Sequence, residues 1–445
     1  MNTIKNVFAN TKVTENGDLS YTTTGNNLLD ILFMTEYLTK HPDQVQIGKD
    51  EKDKLFAMFI RDPRYGLGKK KLGRKLLLDT EATFATIAKC GRYDDIWKMF
   101  DLDSEEFAEA VSYLYRRIAE GDELAKKWMP RFGSKDKAIA SKIAKLWKMN
   151  KQEYGKFIKS ATTEQKLTLH KEDDIVFDQV PSLAQIKYAH AFSTKETTKE
   201  RYAKYIEDVK SGKKELKVTT TTPYDIYKNA DKIDADLFFE KLPKIEINAL
   251  PIVDTSSSMV DANCSFDKAL SIGHYIAKCS TFMPNHAITF SSHPQLIELG
   301  VTQPKMYYSS YRSRIPSQNT QYGKEIASMY TGDCSNTDFG AVLSLLKSVG
   351  VENMPEYLVV LTDCEFDRGS NQAKNELEAM WKANGCKTKI VWWNFSRAAT
   401  VPEMEANGNI FMSGYNPMLL KFLEAGFDGQ KFLDKLLDEY KKKIE

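Results

Sequence analysis

Apolar positions recur every three to four residues through the first half of the chain and give way to short, unbroken apolar runs in the second. Leu28-Leu29, Leu32-Phe33 and Tyr37-Leu38 share one broad face, Leu55-Phe56 and Phe59-Ile60 mark a second, and Leu76 to Ala88 carries a third. This is the spacing of amphipathic helices. Ser104 ahead of Glu105-Glu106-Phe107 predicts a helix to Ala119, with a hydroxyl cap and acids that favour the helix dipole. Helical spacing continues over 136–149, 151–160, 182–192, 198–211, 223–230 and 235–241, and the β-branched polar stretch Val218 to Thr222 reads as an extended connector.

The second half alternates strands with helices. Ala249–Val253, His286–Ser291, Gln295–Leu299, Tyr357–Thr362, Lys387–Phe395 and Asn409–Met412 read as strands; Phe266–Phe282, Phe339–Val349 and Pro417–Glu424 read as helices. Such alternation implies crossover connections and a mainly parallel sheet. The expected fold is therefore multidomain α and α/β: an N-terminal α-helical, HEAT-like array over 1–243, then a Rossmann-like domain over 244–445. The helical half has no strict repeat period, so an irregular helical domain is the alternative to a stack.

The chemistry begins at Asp254-Thr255-Ser256-Ser257-Ser258, between the first of these strands and its helix. One carboxylate and two hydroxyls at alternate positions offer hard oxygens to a small divalent cation, magnesium or another. Alone, this pattern also fits a helix cap at Ser258. Two further loops extend it, Asn336-Thr337-Asp338 before a helix and Asp363 after a strand, although Thr337 also suits a cap and Asp363 a turn. Open α/β sheets bind ligands beyond the carboxyl ends of their strands, where such loops converge. Asp254, Ser256, Ser258, Thr337 and Asp363 are the candidate metal ligands. With these residues in this order, the region from 244 onward resembles a von Willebrand factor A (vWA) domain with a metal-ion-dependent adhesion site.

Composition narrows the class. With 445 residues, 42% hydrophobic and 28% charged, the chain suits two packed domains. No apolar run approaches the roughly 20 residues that span a bilayer, and the opening residues lack a signal-peptide core. The six cysteines form no C-x-x-C pair, and no H-E-x-x-H array occurs among the six histidines. Neither a zinc site nor catalysis is indicated, no membrane association is expected, and a reduced, cytoplasmic setting is.

Net charge is only +2, but basic residues exceed acidic ones in the first 243 residues and fall short in the remainder. Between Leu124 and Lys171 there are 13 Lys or Arg against 3 Asp or Glu. Lys126, Lys127, Arg131, Lys135, Lys137, Lys142 and Lys145 predict a basic ridge, with Ile139, Ile143, Leu146 and Trp147 turned inward. Arg61, Arg64, Lys69, Lys70, Lys71 and Arg74 surround Gly66, Gly68 and Gly73, predicting an exposed loop rich in phosphate donors. Its spacing is not that of a nucleotide-binding P-loop. Solvated charge explains either cluster alone; together they point to a polyanion.

Arg61-Asp-Pro-Arg-Tyr-Gly-Leu-Gly-Lys-Lys-Lys-Leu-Gly-Arg74, Gly91-Arg-Tyr-Asp-Asp-Ile96 and Pro223-Tyr-Asp-Ile226 resemble the helical TROVE-type region that precedes a vWA domain in Ro-like proteins. The opening Thr14 to Gly25 is similar to a poorly characterised bacterial, phage and plant branch of that architecture. The resemblance implies a non-enzymatic ribonucleoprotein component that binds small structured RNAs or single-stranded RNA ends. A vWA metal also implies a partner protein presenting an acidic residue. The alternative is thus a metal-dependent interaction module, an adaptor for an ATPase or a virion component. A metal-dependent nuclease would need more carboxylates than Asp254 and Asp363. Tyr307, Tyr308 and Tyr311 with Arg312 and Arg314 suit either base stacking or packing within their own domain.

Overall fold

The computed structural model describes residues 11–13, 19–21 and 47–444, other than 64, 91, 161, 169–170, 261–263, 303–314, 331–336, 349, 351–352, 364–369, 396–408 and 416. The helix expected from Leu28 to Leu38, the Tyr307 to Arg314 stretch, Arg64 and Asn336 lie outside the described residues. Packing divides the chain into one unit of Met1–Ile175 with Phe427–Glu445 and another of Val176–Gly426.

Among its described residues the first unit is helical apart from a short antiparallel pair, Thr11–Val13 (β1) with Leu19–Tyr21 (β2). Its helices are Glu51–Arg61 (α1), Lys70–Asp79 (α2), Phe84–Cys90 (α3), Tyr93–Lys98 (α4), Glu105–Ala119 (α5), Glu123–Trp128 (α6), Lys137–Leu146 (α7), Lys151–Phe157 (α8) and Thr163–Thr168 (α9). Helix α5 forms as its letters predict. Ser104 Oγ accepts from Phe107 N at 3.1 Å, and Phe107, Ala110, Val111, Leu114 and Ile118 are buried along one stripe.

The C-terminal helix Gly429–Ile444 belongs to this unit. Its Tyr440 hydroxyl donates to Asp62 Oδ2 at 2.8 Å, and Phe432 meets Phe59 edge-on at 6.3 Å. Cys90 is buried here, and that burial pushes its thiol up to about 12, out of nucleophilic range.

The second unit opens with Ser182–Thr194 (α10), Lys199–Lys210 (α11), Pro223–Asn229 (α12) and Ala235–Glu240 (α13). Thr222 ends the β-branched connector by capping α12 in a box with Asp225, so the run that suggested extended chain also sets a helix start. A six-stranded sheet follows: Ala249–Asp254 (β3), His286–Phe290 (β4), Gln295–Glu298 (β5), Tyr357–Thr362 (β6), Lys389–Asn394 (β7) and Ile410–Ser413 (β8). The order is β5-β4-β3-β6-β7-β8, and every pair is parallel except β4 with β5.

The chain leaves β3 for β4 on one side and returns to β6 on the other, so the sheet's switch point lies between β3 and β6. Both strands are buried throughout, which explains their unbroken apolar letters. Ser265–Cys279 (α14) lies against β3; a Cβ on its Gly273 would fall 2.5 Å from Val253 Cγ2, so only glycine permits that approach. Gln321–Ser328 (α15), Phe339–Lys347 (α16), Ser370–Ala383 (α17) and Pro417–Glu424 (α18) complete the unit. Leu250, Ile288, Phe339, Leu343, Trp381 and Trp392 belong to one apolar cluster of this unit.

One polar group is sealed between α14 and α15. His274 is fully buried, its Nε2 lies 2.7 Å from Glu325 Oε2, and Lys278 Nζ lies 3.1 Å from Glu325 Oε1. Burial holds the imidazole below its ordinary range, against the pull of Glu325. For Glu325, burial acts upward, but the bonds from His274, Gln321 and Lys278 outweigh it and hold the carboxyl at about 2. No helix among the described residues is long and apolar enough to cross a membrane.

Candidate metal centre and basic surface

The candidate metal ligands gather at the carboxyl ends of the central strands. Strand register sets Val253 beside Leu361, so Asp254 and Asp363 leave neighbouring strand ends at the switch point. Asp254 is fully buried; its Oδ1 accepts from Ser256 N at 2.9 Å, and its Oδ2 accepts from Thr362 Oγ1 at 2.7 Å. Ser256 Oγ and Ser258 Oγ lie 3.1 Å apart on the turn that follows β3.

Thr337 arrives from another direction. The next residue, Asp338, donates its N–H to Ser291 O at 3.0 Å and caps α16 through Ala341 N at 3.0 Å. Thr255 N in turn donates to Phe290 O at 2.8 Å, so the loops after β3 and β4 and the segment before α16 meet at one end of the sheet. Thr337 is buried there.

Electrostatics make this end unusual. Burial, and then the neighbouring Asp363 carboxylate, push the Asp254 carboxyl up to about 7, against the hydrogen bonds from Ser256 and Thr362. Among the described residues, the groups that offset the charge are hydroxyl and amide donors. Two buried carboxylates with hydroxyl neighbours form a hard-oxygen donor set that suits a divalent ion. Among the described residues no three His, Cys, Asp or Glu side chains cluster to hold a metal; the hydroxyls of Ser256, Ser258 and Thr337 are the other oxygens gathered here. Thr362 was missed in the sequence, although a Thr ending a buried strand directly before Asp363 was the signal.

Two family models match the chain. Residues 248–444 match a domain of unknown function, DUF7788, and residues 117–262 match another, DUF2828. An uncharacterized protein of Acanthamoeba polyphaga mimivirus is similar at 22% identity, over 93% of this chain and 84% of its own length. Among solved structures, the crystal structure of the Deinococcus radiodurans Ro (Rsr) protein is similar over 95% of each chain, with a TM-score of 0.44 and 10% identity.

The basic candidates separate into exposed and committed groups. Arg61 corrects the expectation of an exposed donor loop: it is 1% exposed and ion-paired with Asp95 inside the first unit. The glycines explain why. The segment folds back on α1, with Leu67 N, Gly68 N and Lys69 N donating to Phe59 O, Asp62 O and Ile60 O, and a Cβ on Gly73 would fall 2.7 Å from Arg61 Cα. Arg74 is half-buried, 3.6 Å from Asp95, and Lys69 is half-buried; Lys70 and Lys71 remain exposed.

Further along, Lys126 pairs with Glu123 at 2.8 Å and Lys142 with Asp103 at 2.5 Å. Lys127, Arg131, Lys135, Lys137 and Lys145 are exposed without an ion pair among the described residues. Helix α7 buries Ile143 but leaves Leu146 42% exposed, so Leu146 does not turn inward as the spacing suggested.

Proposed function

We propose that this chain is a non-enzymatic RNA-binding protein whose first unit tracks phosphates and whose sheet unit binds a divalent metal. The observation that carries the reading is the set Lys127, Arg131, Lys135, Lys137 and Lys145, exposed and without an ion pair among the described residues. Cations already held by carboxylates contribute little to counterion release, whereas free ones on a short segment act together. The TROVE-like motifs favour RNA as the polyanion. A bound magnesium would be held by Asp254, Ser256, Ser258, Thr337 and Asp363, would neutralise the carboxylate pair, and would leave a position for an acidic residue of a partner protein.

Titration of the purified chain with small structured and single-stranded RNAs, at several salt concentrations and with or without a chelator, tests the reading. Affinity should fall steeply between low and moderate salt and survive chelation. A chain that binds no RNA but holds a protein partner, lost on chelation, would instead be the metal-dependent interaction module.

A further inference from the structure

We propose that the exposed ring of Tyr115 is a stacking platform for an unpaired nucleotide base, so that the RNA held by the first unit is single-stranded at that point. This rests on the RNA-binding reading. Tyr115 stands on α5 and is 39% exposed. Its ring lies 5.0 Å from that of Phe157 at 30°, and 5.5 Å from that of Trp147 at 71°.

The support is fixed. Trp147 Nε1 donates to Val111 O at 3.2 Å, tying the end of α7 to α5, and its ring lies 5.6 Å from that of the buried Tyr154. An aromatic ring held this firmly and partly open to water offers contact to a flat ligand at a reduced ordering cost.

Neighbouring positions in the chain carry the charge that ligand needs. Arg116, Lys145, Lys148 and Lys156 flank Tyr115, Trp147 and Phe157 in the chain and are exposed without an ion pair among the described residues. An exposed aromatic ring on a unit that also carries exposed cations is complementary to a base and its phosphates, and such stacking tolerates any base. A base inside a duplex stack has no free face to offer, so the platform favours single strands.

The test compares a labelled 12-nucleotide oligouridine with a blunt 12-base-pair RNA duplex, using the full-length chain and the variants Tyr115→Ala and Tyr115→Phe. Tyr115→Ala should weaken oligouridine binding about 5- to 150-fold. Its salt slope should not change, because no phosphate contact is lost. Duplex affinity should also be unchanged, and Tyr115→Phe should bind both RNAs as the parent does.

If the alanine variant melts early, Tyr115→Leu replaces it, keeping an apolar contact with Phe157 and Trp147 but offering no ring. Oligouridine affinity unchanged in the ringless variant overturns the platform alone. Equal weakening towards both RNAs does so too. A parent chain that binds neither RNA overturns the RNA reading itself, and the platform with it.

Discussion

Asp254 sits where a charge is least welcome, fully buried and beside a second carboxylate, with Ser256 and Thr362 donating to it. Asp254→Ala should abolish magnesium binding in calorimetry while far-UV circular dichroism stays native, because the residue ends a strand rather than filling the apolar cluster. Magnesium affinity that survives the change would place the ion elsewhere. His274 and Glu325 make a different prediction, about acid. Glu325 is held below its unfolded range, so its contribution is present above about 4.5 and is lost as pH falls towards 2. His274 is also depressed, so below about 6.5 the unfolded chain takes up protons that the folded one refuses. Both effects have one sign: melting temperature should decline as pH falls from 7 towards 3. Glu325→Gln should melt earlier at pH 7 and lose less on further acidification; a decline identical to the parent's would show that this group does not govern it.

Helix α5 and strands β3 and β6 were legible because their letters express local rules: a capping serine, one apolar stripe, unbroken apolar runs. Replacing Ser104 by Ala should cost about 1 kcal/mol in thermal denaturation. The segment from Arg61 to Arg74 was misread for an equally physical reason. Its glycines and cations look like an exposed phosphate loop, yet Gly66 and Gly73 serve close approach to α1, and Arg61 is consumed by Asp95, some thirty residues away in the chain. A pairing at that separation leaves no local trace. Gly73→Ala should therefore overpack α1 against α2 and cost about 1–3 kcal/mol. A variant as stable as the parent would mean that the two helices separate freely. Leu146 was misplaced because helical spacing specifies a face, while α7 ends at that residue and its neighbour Trp147 turns to α5.

At the scale of the whole molecule, the alternation of strands and helices sufficed for a helical region followed by a mostly parallel sheet, and motif order alone set Asp254, Ser256, Ser258, Thr337 and Asp363 at the carboxyl ends of its strands. The return of the C-terminal helix to the first unit could not be read, since Tyr440 and Asp62 lie at opposite ends of the chain. Thr337 is brought to the same end of the sheet by Asp338 and Ser291, a contact between two loops that no periodicity records.

The central claim is that free cations of the first unit hold RNA phosphates. Its most direct test is the salt dependence of RNA affinity for a variant with Lys127, Lys135, Lys137 and Lys145 changed to Gln, measured beside the parent chain. Each contact removed should flatten the log–log slope by roughly 0.7 to 0.9, and affinity should fall alike for unrelated RNA sequences. Melting temperature and magnesium binding should stay at parental values, because these side chains are solvated and lie outside the sheet unit. An unchanged slope in a folded variant would contradict the account and leave these lysines as nothing more than a charged surface.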